Sequence, residues 1–318
     1  MKPIKIIKNR SDIGAGTRGS DMGIDAIEVA AITMNNNYFT RFPHEDVKTH
    51  NETIYNMVNA AFAKRITHVC EQCERVAAVV QEALDDDFFP IVISGDHSSA
   101  LGTISAVKAQ WPEQRLGVVW IDAHADLHSP YTSPSGNVHG MPLAAALSED
   151  NETCRINDVS KYTQSEWERL KNVATPGPKV RPEDLILFGV RDTEAPEDHL
   201  MNSHNIRNYT VHEIRYRGLM TCLDEALDQL TNCDHIYISF DVDSMDCDLI
   251  SMGTGTPVSK GFDPHEVTDI INHLMSSGKV ACLEITEVNP LLDTKGNKMA
   301  ETAFQVLDAI TSYAKVNT

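Results

Sequence analysis

Short apolar runs alternate with longer segments in which apolar residues recur at helical spacing. The runs at 5–8, 89–93, 116–121, 185–189, 206–210, 235–240 and 280–285 are strand-sized, and most are rich in Ile, Val, Leu and aromatic residues. That is the pattern of strands buried on both faces. Between them, 54–84, 98–110, 141–147, 219–230, 265–275 and 299–314 read as helices, the first with an apolar rhythm through Val69, Val76, Val80 and Leu84. The alternation predicts an α/β fold: a central, mostly parallel sheet with helices on both faces, in three α/β/α layers. The least regular stretches are 246–262 and 148–183, the latter containing Pro176, Gly177, Pro178 and Pro182; we read it as a surface excursion. No break in composition divides the chain, so 1–318 is read as a single domain.

Polar residues gather immediately after the strand-like runs. Ser94-Gly95-Asp96-His97-Ser98 follows the second, Asp122-Ala123-His124-Ala125-Asp126 the third, and Arg191-Asp192-Thr193-Glu194 the fourth. Asp241-Val242-Asp243 and Thr286-Glu287-Val288-Asn289-Pro290 follow the last two. In a parallel α/β sheet the carboxyl ends of the strands share one edge, where ligands bind. Segments distant in sequence therefore deliver His97, Asp122, His124, Asp126, Asp241 and Asp243 to one place. Strict alternation would put Asp122, His124 and Asp126 on the same side of an extended backbone.

Four carboxylates at one edge repel strongly unless a counter-charge is present. Two divalent cations held by bridging carboxylates supply it. An oxygen and nitrogen donor set without thiolate favours Mn²⁺, with Zn²⁺, Co²⁺, Fe²⁺ or Ni²⁺ as options, and two imidazoles fit Mg²⁺ or Ca²⁺ less well. Alone, a DxD pair or a GDHS turn is as readily a helix cap. The three motifs after three different strands are hard to explain by caps.

The formal net charge is −19. Such a surface disfavours nucleic acid and anionic membranes and favours approach of a small cation. No apolar run approaches the length of a membrane helix, and the N-terminus lacks a signal-peptide h-region, so the expected location is cytoplasmic. Seven cysteines, an odd number, are expected to be reduced. Cys70 and Cys73 form a CxxC without a second pair, and we read them as structural.

At the metal-type residues the sequence resembles the ureohydrolases: arginase, agmatinase, formimidoylglutamase and relatives. The resemblance rests on Ser94–Ser98, on Asp122–Asp126 and on Ser239-Phe240-Asp241-Val242-Asp243-Ser244-Met245-Asp246. It implies two Mn²⁺ ions per chain, with Asp122 and Asp241 bridging, His97 and Asp126 completing one site and His124 and Asp243 the other. It also implies a hydroxide between the ions that attacks a guanidine or amidine carbon, with Asp126 handling its proton. Ser135-Gly136-Asn137-Val138-His139-Gly140-Met141-Pro142 resembles the arginase form of its loop. By that likeness Ser135 and Asn137 contact an α-carboxylate and His139 protonates the leaving amine. Thr256, in a TGTP turn, joins the substrate site. Glu287 pairs with the guanidinium, and Asp192 and Glu194 belong to the segment that binds an α-ammonium. A small cationic amino acid is the implied substrate, and a homo-oligomer, trimer or hexamer, the implied assembly.

Four departures stand out. His128 occupies a position where arginases usually carry Asn, and we place it in contact with substrate. Glu194 stands where they usually carry Asp, Ser94 where they carry Gly, and the segment after Asp243 lacks the usual Pro. None touches the six metal-type residues. The reading is hydrolysis of L-arginine to L-ornithine and urea, with a formimidoylglutamase or an agmatinase or guanidino-acid hydrolase as the alternative. A silent binding protein and a metal-dependent deacetylase are weighed against it. The full donor set argues against the first, and the separate Asp241/Asp243 pair with Glu287 against the second.

Overall fold

The computed structural model describes residues 2–57 and 60–316. In chain order the elements are β1 (Ile4–Asn9), α1 (Gly23–Thr33), α2 (Tyr38–Arg41), β2 (His44–Asp46), α3 (Ile66–Asp85), β3 (Phe89–Ser94), α4 (Ala100–Gln110) and β4 (Leu116–Ile121). There follow α5 (Pro142–Leu147), α6 (Lys161–Lys171), β5 (Leu185–Phe188), α7 (Ala195–Ser203), β6 (Arg207–Tyr209), α8 (Val211–Arg217) and α9 (Leu219–Gln229). The last are β7 (His235–Asp241), α10 (Pro264–Ser276), β8 (Val280–Thr286) and α11 (Lys298–Val316).

The strands form one eight-stranded sheet in the order β2-β1-β3-β8-β7-β4-β5-β6, and every pairing is parallel. Successive side chains of a strand face opposite sides, so the unbroken apolar runs feed two cores. Val119 and Ile121 of β4 join Phe240 and Leu283 under Ile27 of α1, Leu223 of α9, Val267 of α10 and Phe304 of α11. Val118 and Trp120 join Tyr237 on the other face, under Val76 of α3, Ile104 of α4, Leu143 of α5 and Trp167 of α6. This is the three-layer arrangement expected from the alternation. Among the described residues no helix is long and apolar enough to cross a membrane. All seven cysteines are free, and Cys70 and Cys73 are buried in α3.

Three expectations need correction. The helix expected over 54–84 begins only at Ile66: its N-cap, Arg65, has left-handed backbone at φ +57°, which a continuing right-handed helix cannot contain. Upstream lies a separate 3-10 turn, Asn51–Tyr55, and Val58 and Asn59 lie outside the described residues. The excursion at 148–183 holds a full helix, α6, capped by Ser160, whose hydroxyl accepts from the Thr163 amide at 3.2 Å. Its outer face is so polar that Trp167 and Leu170 alone carry its apolar anchorage. Helices α1, α2, α7 and α8 and the short strand β2 are also additional to those expected.

The sheet order places the site. Strands β3, β8, β7 and β4 are consecutive in space, so the four segments that leave their carboxyl ends emerge side by side at the centre of one edge.

Candidate metal centre and its cleft

The four segments converge on the His97 imidazole. Its Nδ1 lies 3.0 Å from Asp122 Oδ2, 3.2 Å from Asp126 Oδ2 and 3.1 Å from Asp241 Oδ2. The ring is stacked on Trp120, centroids 3.9 Å apart and planes 6° from parallel, and Nε2 is 2.7 Å from Ser239 Oγ. Both contacts fix its rotation. Asp96 caps the short turn that carries it, its Oδ1 accepting from the Ser98 amide at 2.8 Å. The GDHS segment is thus both a cap, through Asp96, and a site element, through His97. Gly95 is required by close approach, since a Cβ there would lie 2.3 Å from the Ser11 carbonyl.

The carboxylates are held by one oxygen each. Asp122 Oδ1 accepts from the His124 amide at 2.7 Å, Asp241 Oδ1 from the Asp243 amide at 2.8 Å, and Asp243 Oδ1 from the Ala123 amide at 3.1 Å. The second oxygen of each turns inward. Asp243 Oδ2 faces His124 Nδ1 at 3.1 Å and accepts from Thr256 Oγ1 at 3.0 Å. Donor atoms of His97, Asp122 and Asp241 lie within 4.8 Å of one another, as do those of Asp122, His124 and Asp243, so Asp122 is common to both groups.

The convergence does not come from strand alternation, which corrects our expectation. β4 ends at Ile121, and Asp126 has left-handed backbone at φ +50°. A turn, not a pleat, brings Asp126 back towards His97. Left-handed backbone is unfavourable for a residue other than glycine and gathers at functional sites. Glu287 shares it at φ +67°.

The electrostatics are those of a cation site. Burial together with Asp243 and Asp122 pushes the Asp241 carboxyl well above its ordinary range. Burial, then Asp122, pushes Asp126 up to about 6. Burial alone would lower the His97 imidazole, but Asp122, Asp126 and Asp241 together hold it well above its usual value. His97 Nδ1 and Asp122 Oδ2 are buried without a hydrogen-bond partner. Buried polar atoms are otherwise nearly always satisfied. A divalent cation between these atoms would satisfy both and relieve carboxylate repulsion of about 4 kcal/mol per pair at 4 Å and intermediate dielectric. The residues present fit such an ion.

Above the floor opens a cleft of about 250 Å³ lined by His97, His124, Asp126, His128, Ser135, His139, Gly140, Asp192, Thr193, Glu194, Glu197, Asp241, Asp243 and Thr256. Glu287 is not among the lining residues; it is 2 % exposed and touches two that are, His97 and His139. Its Oε1 accepts from the His97 amide at 2.9 Å and lies 3.1 Å from His139 Nδ1. Burial opposes charge on His139, but Glu287 and Asp126 raise it to about 9. Asn137 is not among the lining residues; its Oδ1 accepts from Lys64 Nζ at 3.2 Å. At the mouth, Asp192 Oδ2 lies 3.7 Å from His124 Nε2, and Glu194 Oε2 lies 3.2 Å from His128 Nε2.

The model of the arginase family matches residues 2–312. The arginase of Bacillus subtilis (strain 168) is 33 % identical over 311 residues, 97 % of each chain. The chain belongs to the arginase family. The solved arginase of Bacillus caldovelox superposes with a TM-score of 0.81 at 32 % identity, covering 98 % of both chains. A formimidoylglutamase from Bacillus subtilis superposes at 0.75 with 19 % identity, covering 99 % of this chain and 88 % of its own, which shows the shared fold alone. As an arginase-family protein, the chain is a hydrolase of amidine or guanidine C–N bonds.

Two residues escaped the sequence reading. Glu197, buried in the cleft, accepts from the Leu127 amide and the Glu194 amide, both at 3.1 Å, and so ties the start of α7 to the turn after β4. Its signal was the spacing Glu194-Ala195-Pro196-Glu197, an acidic residue at the third position of a helix that opens with proline nearby. Arg191 donates to the carbonyls of Gly189, Asp243 and Ser259 at 3.0 Å and of Val258 at 2.8 Å. It thereby fastens the Asp243 turn to the Thr256 segment from beneath.

Proposed function

We propose that the protein hydrolyses L-arginine to L-ornithine and urea, using two Mn²⁺ ions. The observation that carries the reading is the pair of donor groups sharing Asp122 at the floor of a cleft whose mouth is acidic. His97, Asp122, Asp126 and Asp241 would hold one ion, and Asp122, His124, Asp241 and Asp243 the other. When bound, a pair of divalent ions supplies a water acidic enough to act as nucleophile at neutral pH.

The chain's own groups do the rest. Asp126 Oδ2 faces the same space and is a carboxylate placed to take a proton from that water. Glu287 supplies a buried negative charge that a guanidinium can pair with. His139, held protonated at neutral pH by Glu287, is an acid placed for the departing amine at its ring N–H. Asp192, Glu194 and Glu197 make the mouth favourable for an α-ammonium, while Ser135, with Lys64 and Asn137 nearby, offers donors for an α-carboxylate. Formimidoylglutamate would bring a second carboxylate and no free ammonium to this acidic mouth. Agmatine would leave the Ser135 side unpaired. Both are disfavoured on those grounds.

The test is a panel of L-arginine, agmatine, 4-guanidinobutyrate and formimidoylglutamate with the Mn²⁺-loaded protein. Urea from L-arginine with the highest kcat/KM supports the reading. No urea from L-arginine alongside cleavage of another member overturns it.

A further inference from the structure

His128 and Glu194, the two departures at the amino-acid end of the cleft, touch each other. The imidazole is nearly buried, with its side chain 10 % exposed, whereas that of Glu194 is 54 % exposed. His128 Nε2 lies 3.2 Å from Glu194 Oε2 and 3.6 Å from Glu197 Oε2. At the opposite end of the ring, Nδ1 is 3.1 Å from Thr132 Oγ1. The two groups facing Nε2 are carboxylates, which only accept, so the hydrogen belongs on Nε2 and Nδ1 accepts from the Thr132 hydroxyl. An Nε2–H aimed between two carboxylates cannot at the same time donate to a substrate carboxylate.

We propose that His128 is a positioning residue for ammonium recognition: its Nε2 side holds Glu194, the N-cap of α7, beside Glu197, so that the exposed carboxylate faces a primary ammonium at the cleft mouth. The inference rests on the amino-acid hydrolase reading above for the site it serves. Three features fit together. Glu197 is fixed by two backbone amides. A second carboxylate beside it is repelled. A donor between the two offsets that repulsion and sets the direction of Glu194. His128 lines the cleft, as a substrate contact would; on this proposal it acts through Glu194.

Two probes separate ammonium from carboxylate recognition. Agmatine keeps the primary ammonium of L-arginine without the carboxylate, and 5-guanidinopentanoate keeps the carboxylate without the ammonium. Titration calorimetry of the Mn²⁺-loaded protein gives the preference for agmatine as a ratio of dissociation constants. In His128→Ala that preference should fall about tenfold, the size of one charge-assisted hydrogen bond. His128→Gln, which retains a donor, should restore part of it. Glu194→Gln, at an exposed position that tolerates change, should lower it similarly, and adding His128→Ala should then cost little more. A preference that rises in His128→Ala means that His128 binds the carboxylate, and an unchanged one means a purely structural role. Either overturns the proposal. A protein that shows the predicted shift yet releases no urea from L-arginine loses the substrate reading but not this one. A protein that hydrolyses L-arginine without the shift loses only this one, and failure to bind either probe overturns both.

Discussion

At the floor of the cleft the ionisable groups sit on or just beyond strand ends, and each of Asp122, Asp241 and Asp243 spends one oxygen on a backbone amide before the other faces inward. At the mouth, the side chains of Asp192 and Glu194 are 66 % and 54 % exposed. They ride on the segment between β5 and α7, where each faces a histidine of another segment and Glu194 also caps the start of α7. Backbone amides at the end of a buried sheet cannot move without breaking the sheet. Side-chain pairs at a rim can be exchanged one partner at a time. The floor therefore sets the reaction, and the mouth is where its selectivity can drift. Of the four departures from the resemblance, those at 128 and 194 lie at the mouth, Ser94 and the segment after Asp243 adjoin the floor, and none falls on the six metal-type residues.

If that division is right, damage should scale with depth. Asp241→Ala should lose more than the roughly 10–100-fold in metal affinity or activity that follows loss of an outer partner of a metal ligand; metal content after Mn²⁺ loading, read by elemental analysis, should fall with it. Loading the unaltered protein at about 100 times the dissociation constant should stabilise it by about 2.7 kcal/mol, roughly 4 °C in Tm for a chain of this size. A Tm indifferent to Mn²⁺ would mean that the floor does not hold the ion. Next, Glu287→Gln keeps the shape and removes the charge, and kcat/KM for L-arginine should drop about 10- to 100-fold; near-normal turnover would end the assigned pairing.

The wall between floor and mouth has a pH signature in the metal-free protein. His139 is raised to about 9 by Glu287 and Asp126 against the opposing effect of burial. A raised histidine stabilises the fold fully below its unfolded value near 6.5 and loses that contribution as pH climbs towards 9. Asp126, raised to about 6, works in the same direction but is finished before that window opens. Metal-free Tm should thus fall between pH 6.5 and 8, and the slope should flatten in His139→Asn; equal slopes in the two proteins would count against the pair. The smallest effect belongs to the rim. Asp192→Asn should raise KM for L-arginine about two- to fivefold with little change in kcat, as expected for an exposed charge, and a loss as deep as that of Asp241→Ala would erase the distinction between the regions.

The same division explains what could be read before the structure. Strands β3, β4, β7 and β8 are mainly apolar runs because both faces are covered, with Ser239 and Glu284 as buried polar exceptions, and that signal survives in one dimension. The metal-type residues are legible because each motif begins where such a run stops. The contact of His128 with Glu194 is not legible: it joins two separate loops, and no periodicity links them. Helix α6 was hidden because its anchorage is Trp167 and Leu170 within a polar stretch beside Pro176 and Pro178. The start of α3 was misplaced because one left-handed residue, Arg65, ends a pattern that composition alone would continue.

The adjacency of β3 and β8 has a consequence in time. The His97 amide and the Glu287 carboxylate that accepts from it are 190 positions apart along the chain, and β8 lies between β3 and β7 in the sheet. Closing so large a loop is slow compared with forming a helix. A chain emerging from the ribosome has the Asp122–Asp126 turn well before Asp241 and Glu287 have been made. An ion held by these residues would therefore be captured only after the central strands have paired.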